Sequence, residues 1–118
     1  MKIATIVGAR PQFIKASAVS KEIKKHSMLE EVLIHTGQHF DDNMSEIFFS
    51  QLDMDNPKYN LNISGGRHGH MTGSMIMAIE NVLLDERPDL VLVYGDTNST
   101  LAAAISASKL IIPIAHVE

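Results

Sequence analysis

A chain of 118 residues, 45% of them hydrophobic, can build one domain with a real core but not two. Its formal net charge is −4 and no basic cluster exceeds Lys24-Lys25, so nucleic acid is not an expected partner. The absence of cysteine excludes disulfide frameworks, thiol catalysis and cysteine-ligated zinc, and it fits a reducing, cytoplasmic setting.

Met1 to Gly8 is apolar but lacks the h-region and cleavage site of a signal peptide. No later run reaches the length of a membrane span, so no membrane partner is expected. Ile3 to Val7 therefore reads as a buried first strand. Gly8-Ala9-Arg10 is a tight turn, and Pro11 suits the first position of a helix. Phe13, Ile14, Ala16, Ala18, Val19 and Ile23 give that helix an apolar face, with Lys15, Lys21, Glu22, Lys24 and Lys25 outside. Val32 to His35 is the second strand, and Thr36-Gly37-Gln38-His39 is its exit turn. Asp41 or Asp42 can cap a helix carrying Met44, Ile47, Phe48, Phe49 and Leu52, which Asn56-Pro57 ends. Tyr59 to Ile63 reads as a short third strand and Ser64 to His70 as a loop. Met71 to Arg87 is a long helix that Pro88 stops. Leu90 to Tyr94 is a fully apolar run read as a strand buried on both faces. Gly95 turns the backbone, Asp96 to Thr100 can cap a helix, and Leu101 to Ala107 supplies it. Ile114 to Val117 is the fifth strand.

This alternation predicts an α/β fold with a doubly wound, Rossmann-like parallel sheet and right-handed crossovers. In the order 3-2-1-4-5 the winding reverses between the first and fourth strands, and ligands bind at such a point beyond the carboxyl ends of the strands. The turns Gly8-Ala9-Arg10 and Gly95-Asp96-Thr97 then flank one crevice, which brings Arg10 near Asp96. Arg10 with Lys15 can hold phosphate or another anion. Asp96 and Glu118 leave the tips of neighbouring strands whose axes lie about 4.8 Å apart. Both can reach the crevice, and two carboxylates sharing a site repel, which suits one of them to hold a proton.

Several other chemistries lack their residues. Gly8 to Gln12 matches neither G-x-G-x-x-G nor a Walker A loop, so no nicotinamide or flavin fingerprint is present. His35 and His39 straddle a strand end and would not share a helix face as zinc ligands. His68-Gly69-His70 reads as loop, and no metal is expected. Ser99 lacks a nucleophile elbow, and the methionines of the long helix read as core filler.

Four stretches carry a resemblance. Gly8-Ala9-Arg10-Pro11-Gln12-Phe13-Ile14-Lys15, His35-Thr36-Gly37-Gln38-His39, Tyr94-Gly95-Asp96-Thr97-Asn98-Ser99-Thr100 and Pro113-Ile114-Ala115-His116-Val117-Glu118 resemble the non-hydrolysing UDP-N-acetylglucosamine 2-epimerases, in order and at family spacing. The resemblance implies the N-terminal part of a two-domain glycosyltransferase-B-like fold, with substrate in the interdomain cleft. It implies elimination of UDP to a 2-acetamidoglucal and re-addition with inversion at C2, without a nicotinamide cofactor. Asp96 and Glu118 would be catalytic, and Arg10, Lys15, Gln38, His39 and Thr97 would bind the UDP-sugar. The full-length protein would be a homodimer. The variants at Ala9 to Gln12 and Asp96 to Thr100 also resemble the branch acting on UDP-2,3-diacetamido-2,3-dideoxy-uronates. Asp41 stands where some members carry a glutamine for an activating second UDP-sugar, which speaks against that activation here.

Family members are much longer, and residues 1–118 read as a truncated single domain without the C-terminal nucleotide-binding domain. On that reading the piece alone is inactive and prone to self-association along Ile114 to Val117. The alternatives are a sugar transferase of the same fold and a free-standing flavodoxin-like binding module. Deuterium incorporation at C2 from D2O separates epimerase from transferase. The Gly8-Ala9-Arg10 turn lacks the acids of a receiver module and the Ser/Thr phosphate loop of a flavodoxin.

Overall fold

The central strands are built on short apolar runs whose successive side chains point to opposite faces, and helices cover both faces. The computed structural model describes residues 1–37 and 46–118. The elements are β1 (Lys2–Val7), α1 (Arg10–Lys24), β2 (Glu30–His35), α2 (Glu46–Gln51), β3 (Tyr59–Asn60), α3 (His68–Glu86), β4 (Leu90–Tyr94), α4 (Asn98–Lys109) and β5 (Ile114–Val117). They form one sheet of order β3-β2-β1-β4-β5, with every pairing parallel. The α/β doubly wound reading and its strand order hold.

Residue alternation sorts the core into two layers. Ala4, Ile6, Val32, Ile34, Val91 and Val93 face Met71, Met75, Ile79 and Leu83 of α3 and Ala102, Ala103 and Ala107 of α4. Ile3, Val7, Leu33, Leu92 and Tyr94 face Phe13, Ala16 and Ile23 of α1 and Phe49 of α2. Alanines on α4 let that helix pack closely against α3 and the sheet.

Three boundaries differ from the sequence reading. α3 begins at His68, so His68-Gly69-His70 is its first turn rather than loop. Its N-cap, Arg67, makes no side-chain cap hydrogen bond, so there was no capping signal to read. α4 begins at Asn98, earlier than Leu101, because Thr97 is its N-cap and the polar residues after it are already helical. β3 ends at Asn60, and Asn62 with φ 55 turns the chain out of extended conformation. Smaller shifts occur in α1, where Arg10 rather than Pro11 is the first helical residue. The proposed caps Asp41 and Asp42, and Met44, lie outside the described residues.

Candidate active site

The carboxyl ends of β1, β2, β4 and β5 lie side by side, so their exit turns form one continuous rim. Gly95 follows β4 with φ 66, a left-handed conformation that a side chain disfavours. Its N–H donates to the Val117 carbonyl (2.9 Å), and His116 Nε2 donates to the Gly95 carbonyl (2.6 Å). The β4 exit is thus fastened at two points to β5. Asp96 projects from this turn and is exposed. Tyr94 pairs with Val117 in the β4–β5 register, so Glu118 follows one paired tip directly and Asp96 follows the other after Gly95.

The β1 exit leads straight into α1. Arg10 is the first residue of that helix and is exposed, as is Lys15 further along it. Gln12 closes the gap between the two turns. It is 5% exposed. Its Oε1 accepts from Gly8 N (2.8 Å) and Ala9 N (3.1 Å). Its Nε2 donates to the Tyr94 carbonyl (2.7 Å) and Thr97 Oγ1 (2.9 Å). Thr97, expected to bind substrate, therefore already has its hydroxyl engaged by Gln12. Sequence reasoning quoted Gln12 within a motif but gave it no task. The available signal was its place three residues after the N-cap, where Glu or Gln reaches back to backbone N–H groups.

The β2 exit joins from the other side. Thr36 N donates to the Val7 carbonyl (3.0 Å), and the Thr36 and Ser99 hydroxyls are 2.8 Å apart, both fully buried. Ser99, left without a nucleophile's role, is instead a tie between β2 and α4. Gly37 (φ 88) is needed for space as well as conformation, since a Cβ there would lie 2.9 Å from Ile63 N. His35 is 5% exposed and stands edge-on to the Phe13 ring at 4.9 Å. Burial pushes its imidazole below the ordinary histidine range, and its Nε2 has no hydrogen-bond partner among the described residues. Asn98 Nδ2 donates to His68 Nδ1 (2.9 Å), which links the starts of α3 and α4. Gln38 and His39 lie outside the described residues. Among the described residues no group of three or more His, Asp or Glu is placed to hold a metal ion, and no helix is long and apolar enough to cross a membrane.

Arg10, Thr97, Asp96 and Glu118 thus all lie on the rim at the carboxyl edge of the sheet, beside the starts of α1 and α4. Such a rim can bind an anion and present carboxylates to a neighbouring carbon acid.

Comparison with known proteins gives these residues a family. The sequence model described as UDP-N-acetylglucosamine 2-epimerase matches residues 21–118. The chain is 66% identical over all its length to a UDP-2,3-diacetamido-2,3-dideoxy-D-glucuronate 2-epimerase of Pseudomonas aeruginosa, of which it covers 33%. It is similar to the crystal structure of Methanocaldococcus jannaschii UDP-GlcNAc 2-epimerase in complex with UDP-GlcNAc and UDP, with TM-score 0.94 and 52% identity, covering 100% of this chain and 32% of that one. A Neisseria meningitidis UDP-GlcNAc 2-epimerase bound to UDP-GlcNAc matches with TM-score 0.91 at 35% identity, covering 100% of this chain and 32% of that one. The chain thus spans about a third of the length of the relatives it matches. With the family model matching residues 21–118, most of its length, this chain belongs to the UDP-N-acetylglucosamine 2-epimerase family.

Proposed function

We propose that residues 1–118 supply one wall of the catalytic crevice of a UDP-sugar 2-epimerase. They would form one Rossmann-like domain of a two-domain, glycosyltransferase-B-like enzyme that is cytoplasmic and homodimeric, with a second domain binding the uridine nucleotide. The observation that supports this is the placement of Asp96 and Glu118 after paired tips of β4 and β5, at the same sheet edge from which β1 leads into α1 and Arg10.

The reaction needs that arrangement. The proton on C2 leaves as the C1–O bond to UDP breaks, giving a 2-acetamidoglucal and UDP. The C1–O bond then re-forms while a proton is delivered to the opposite face of C2, giving the epimer. Removal and delivery on two faces require at least two acid–base groups. Asp96 and Glu118 are two such groups. The departing UDP carries charge, and Arg10 with Lys15 is suited to stabilise it. Thr97, Gln38 and His39 complete the sugar and diphosphate contacts in this reading.

The test uses an enzyme of the relatives' full length that carries residues 1–118, incubated in D2O with UDP-GlcNAc and, separately, with UDP-2,3-diacetamido-2,3-dideoxy-glucuronate. Formation of the 2-epimer with deuterium at C2 is the expected result, and the substrate turned over faster names the branch. Sugar transfer to an acceptor without deuterium at C2 would replace epimerase by transferase. Residues 1–118 alone should show no turnover, because the groups that position the nucleotide are missing.

A further inference from the structure

We infer that Gln12 is the positioning residue that sets Arg10 against Asp96, and that it does so because a neutral amide both accepts and donates. The inference rests on the epimerase reading of the crevice.

The hydrogen bonds fix the orientation of the amide. Two backbone N–H groups, of Gly8 and Ala9, point at one end, so that end is the oxygen. The two hydrogens of Nε2 then meet the Tyr94 carbonyl and Thr97 Oγ1, with Thr100 Oγ1 further away at 3.4 Å. Thr100 in turn donates to the same Tyr94 carbonyl (2.6 Å). Each end of Gln12 thus holds one exit turn. Arg10 immediately follows Ala9, and Asp96 lies between Tyr94 and Thr97. A Cβ placed on Gly95 would stand 3.8 Å from Gln12 Nε2, so the amide packs directly against the turn that presents Asp96.

A capping role alone does not account for this. A cap needs the Gly8 and Ala9 contacts and nothing more. The Nε2 contacts reach residues 82 and 85 positions away, on the other side of the winding reversal. No other side-chain type of this length serves both ends: a carboxylate only accepts, an ammonium only donates, and a thioether does neither well. A change in this link moves two groups relative to each other without touching the substrate.

The test measures kcat and KM per folded molecule in the full-length enzyme. Gln12→Met keeps the length of the side chain and removes both ends of the link. It should lower kcat about 100-fold, as expected for a misplaced constellation, with KM for the UDP-sugar nearly unchanged. Thr100→Val removes the hydroxyl beside the amide and should lower kcat by about tenfold, and the double variant should fall little below Gln12→Met alone because the two act as one unit. If Gln12→Met does not fold, Thr100→Val decides. A folded Gln12→Met, or failing that Thr100→Val, with wild-type kcat overturns the positioning role. Independent, multiplying losses in the double variant overturn it as well. A wild-type enzyme that turns over no UDP-sugar removes the epimerase reading itself, which is a different result from an active wild type with an indifferent Gln12.

Discussion

The two ends of the sheet treat charge in opposite ways. At the corner where α3 ends and β1 starts, Glu86 is buried and saturated. Its carboxylate receives Lys58 Nζ at 2.8 Å, Tyr59 OH at 2.5 Å and Lys2 Nζ at 3.1 Å. The hydrogen bond from Lys58, then that from Tyr59, hold its carboxyl down to about 2. Lys2 N also donates to Asp89 Oδ2 (2.8 Å), so the start of β1 is tied to the α3–β4 corner. At the carboxyl end, Asp96 and Glu118 are exposed and neither joins an ion pair or side-chain hydrogen bond with the described residues. The turns there are held by the Gln12 amide, by the Thr36, Ser99 and Thr100 hydroxyls and by a His116 ring nitrogen. One end uses its acid to close the fold. The other holds its backbone mainly with amide and hydroxyl groups, and its two acids stay uncommitted among the described residues. A preformed frame around unspent charge is what electrostatic catalysis requires.

The contrast breaks most visibly if the open carboxylates prove structural. In the full-length enzyme, Asp96→Asn and Glu118→Gln should each lower turnover by at least about 100-fold. Melting temperatures should stay near wild type, since neither side chain holds the fold. Solvent hydrogen exchange at C2 checks both, and near-normal exchange in the two variants would make this end of the sheet as structural as the other. Arg10→Ala should act in the same direction, lowering turnover by about 10- to 100-fold, more than it disturbs folding.

The opposite end sharpens the comparison from the side of stability. Glu86→Ala leaves the Tyr59 hydroxyl and the Lys58 ammonium without their acceptor and removes one partner of Lys2, and it should destabilise the protein by roughly 1–3 kcal/mol. Turnover per folded molecule should not change. The pH dependence follows from the same carboxyl. Its pKa is about 2 when folded against 4.5 when unfolded, so its contribution is fully present above about 4.5 and is lost as pH falls toward 2. The stability gap between wild type and Glu86→Gln should therefore narrow across that interval. Equal acid sensitivity of the two proteins in thermal melts would show that Glu86 is not the group responsible.

The sequence made one end of the molecule far more readable than the other. Apolar runs in β1, β2 and β4 reported their burial on both faces, and the alternation with helices led to the observed strand order. The tips carrying Asp96 and Glu118 followed from that order, because a parallel neighbour's register is fixed once the strands are known. Local devices were harder to see. The sequence gives no hint of the cross-link made by Gln12, since its second set of partners lies more than 80 positions away. Nothing local in the sequence marks Glu86, because only tertiary packing supplies its three donors. The start of α3 was misplaced because Gly65, Gly66 and Gly69 imitate a loop, although only the first two adopt positive φ.

His35 gives the smallest effect and places a buried titratable group at the open end. It closes β2, faces the Phe13 ring and has no partner for Nε2 among the described residues. Burial lowers its pKa from 6.5, so the folded protein keeps it neutral while the unfolded chain takes up a proton. The unfolded state then binds more protons below pH 6.5, and stability falls as pH drops from that point toward the folded pKa. This loss sets in at 6.5, above the pH at which that of Glu86 begins, so the two onsets can be read from one set of melts. His35→Phe keeps a ring against Phe13 and removes the titration. Wild type should lose melting temperature between pH 7.5 and 5.5 relative to this variant, while turnover at pH 7.5 stays comparable. Parallel melting curves for the two proteins across that range would mean that His35 accepts its proton equally well in the folded state. The carboxyl end would then tolerate a buried charge that the Phe13 environment argues against.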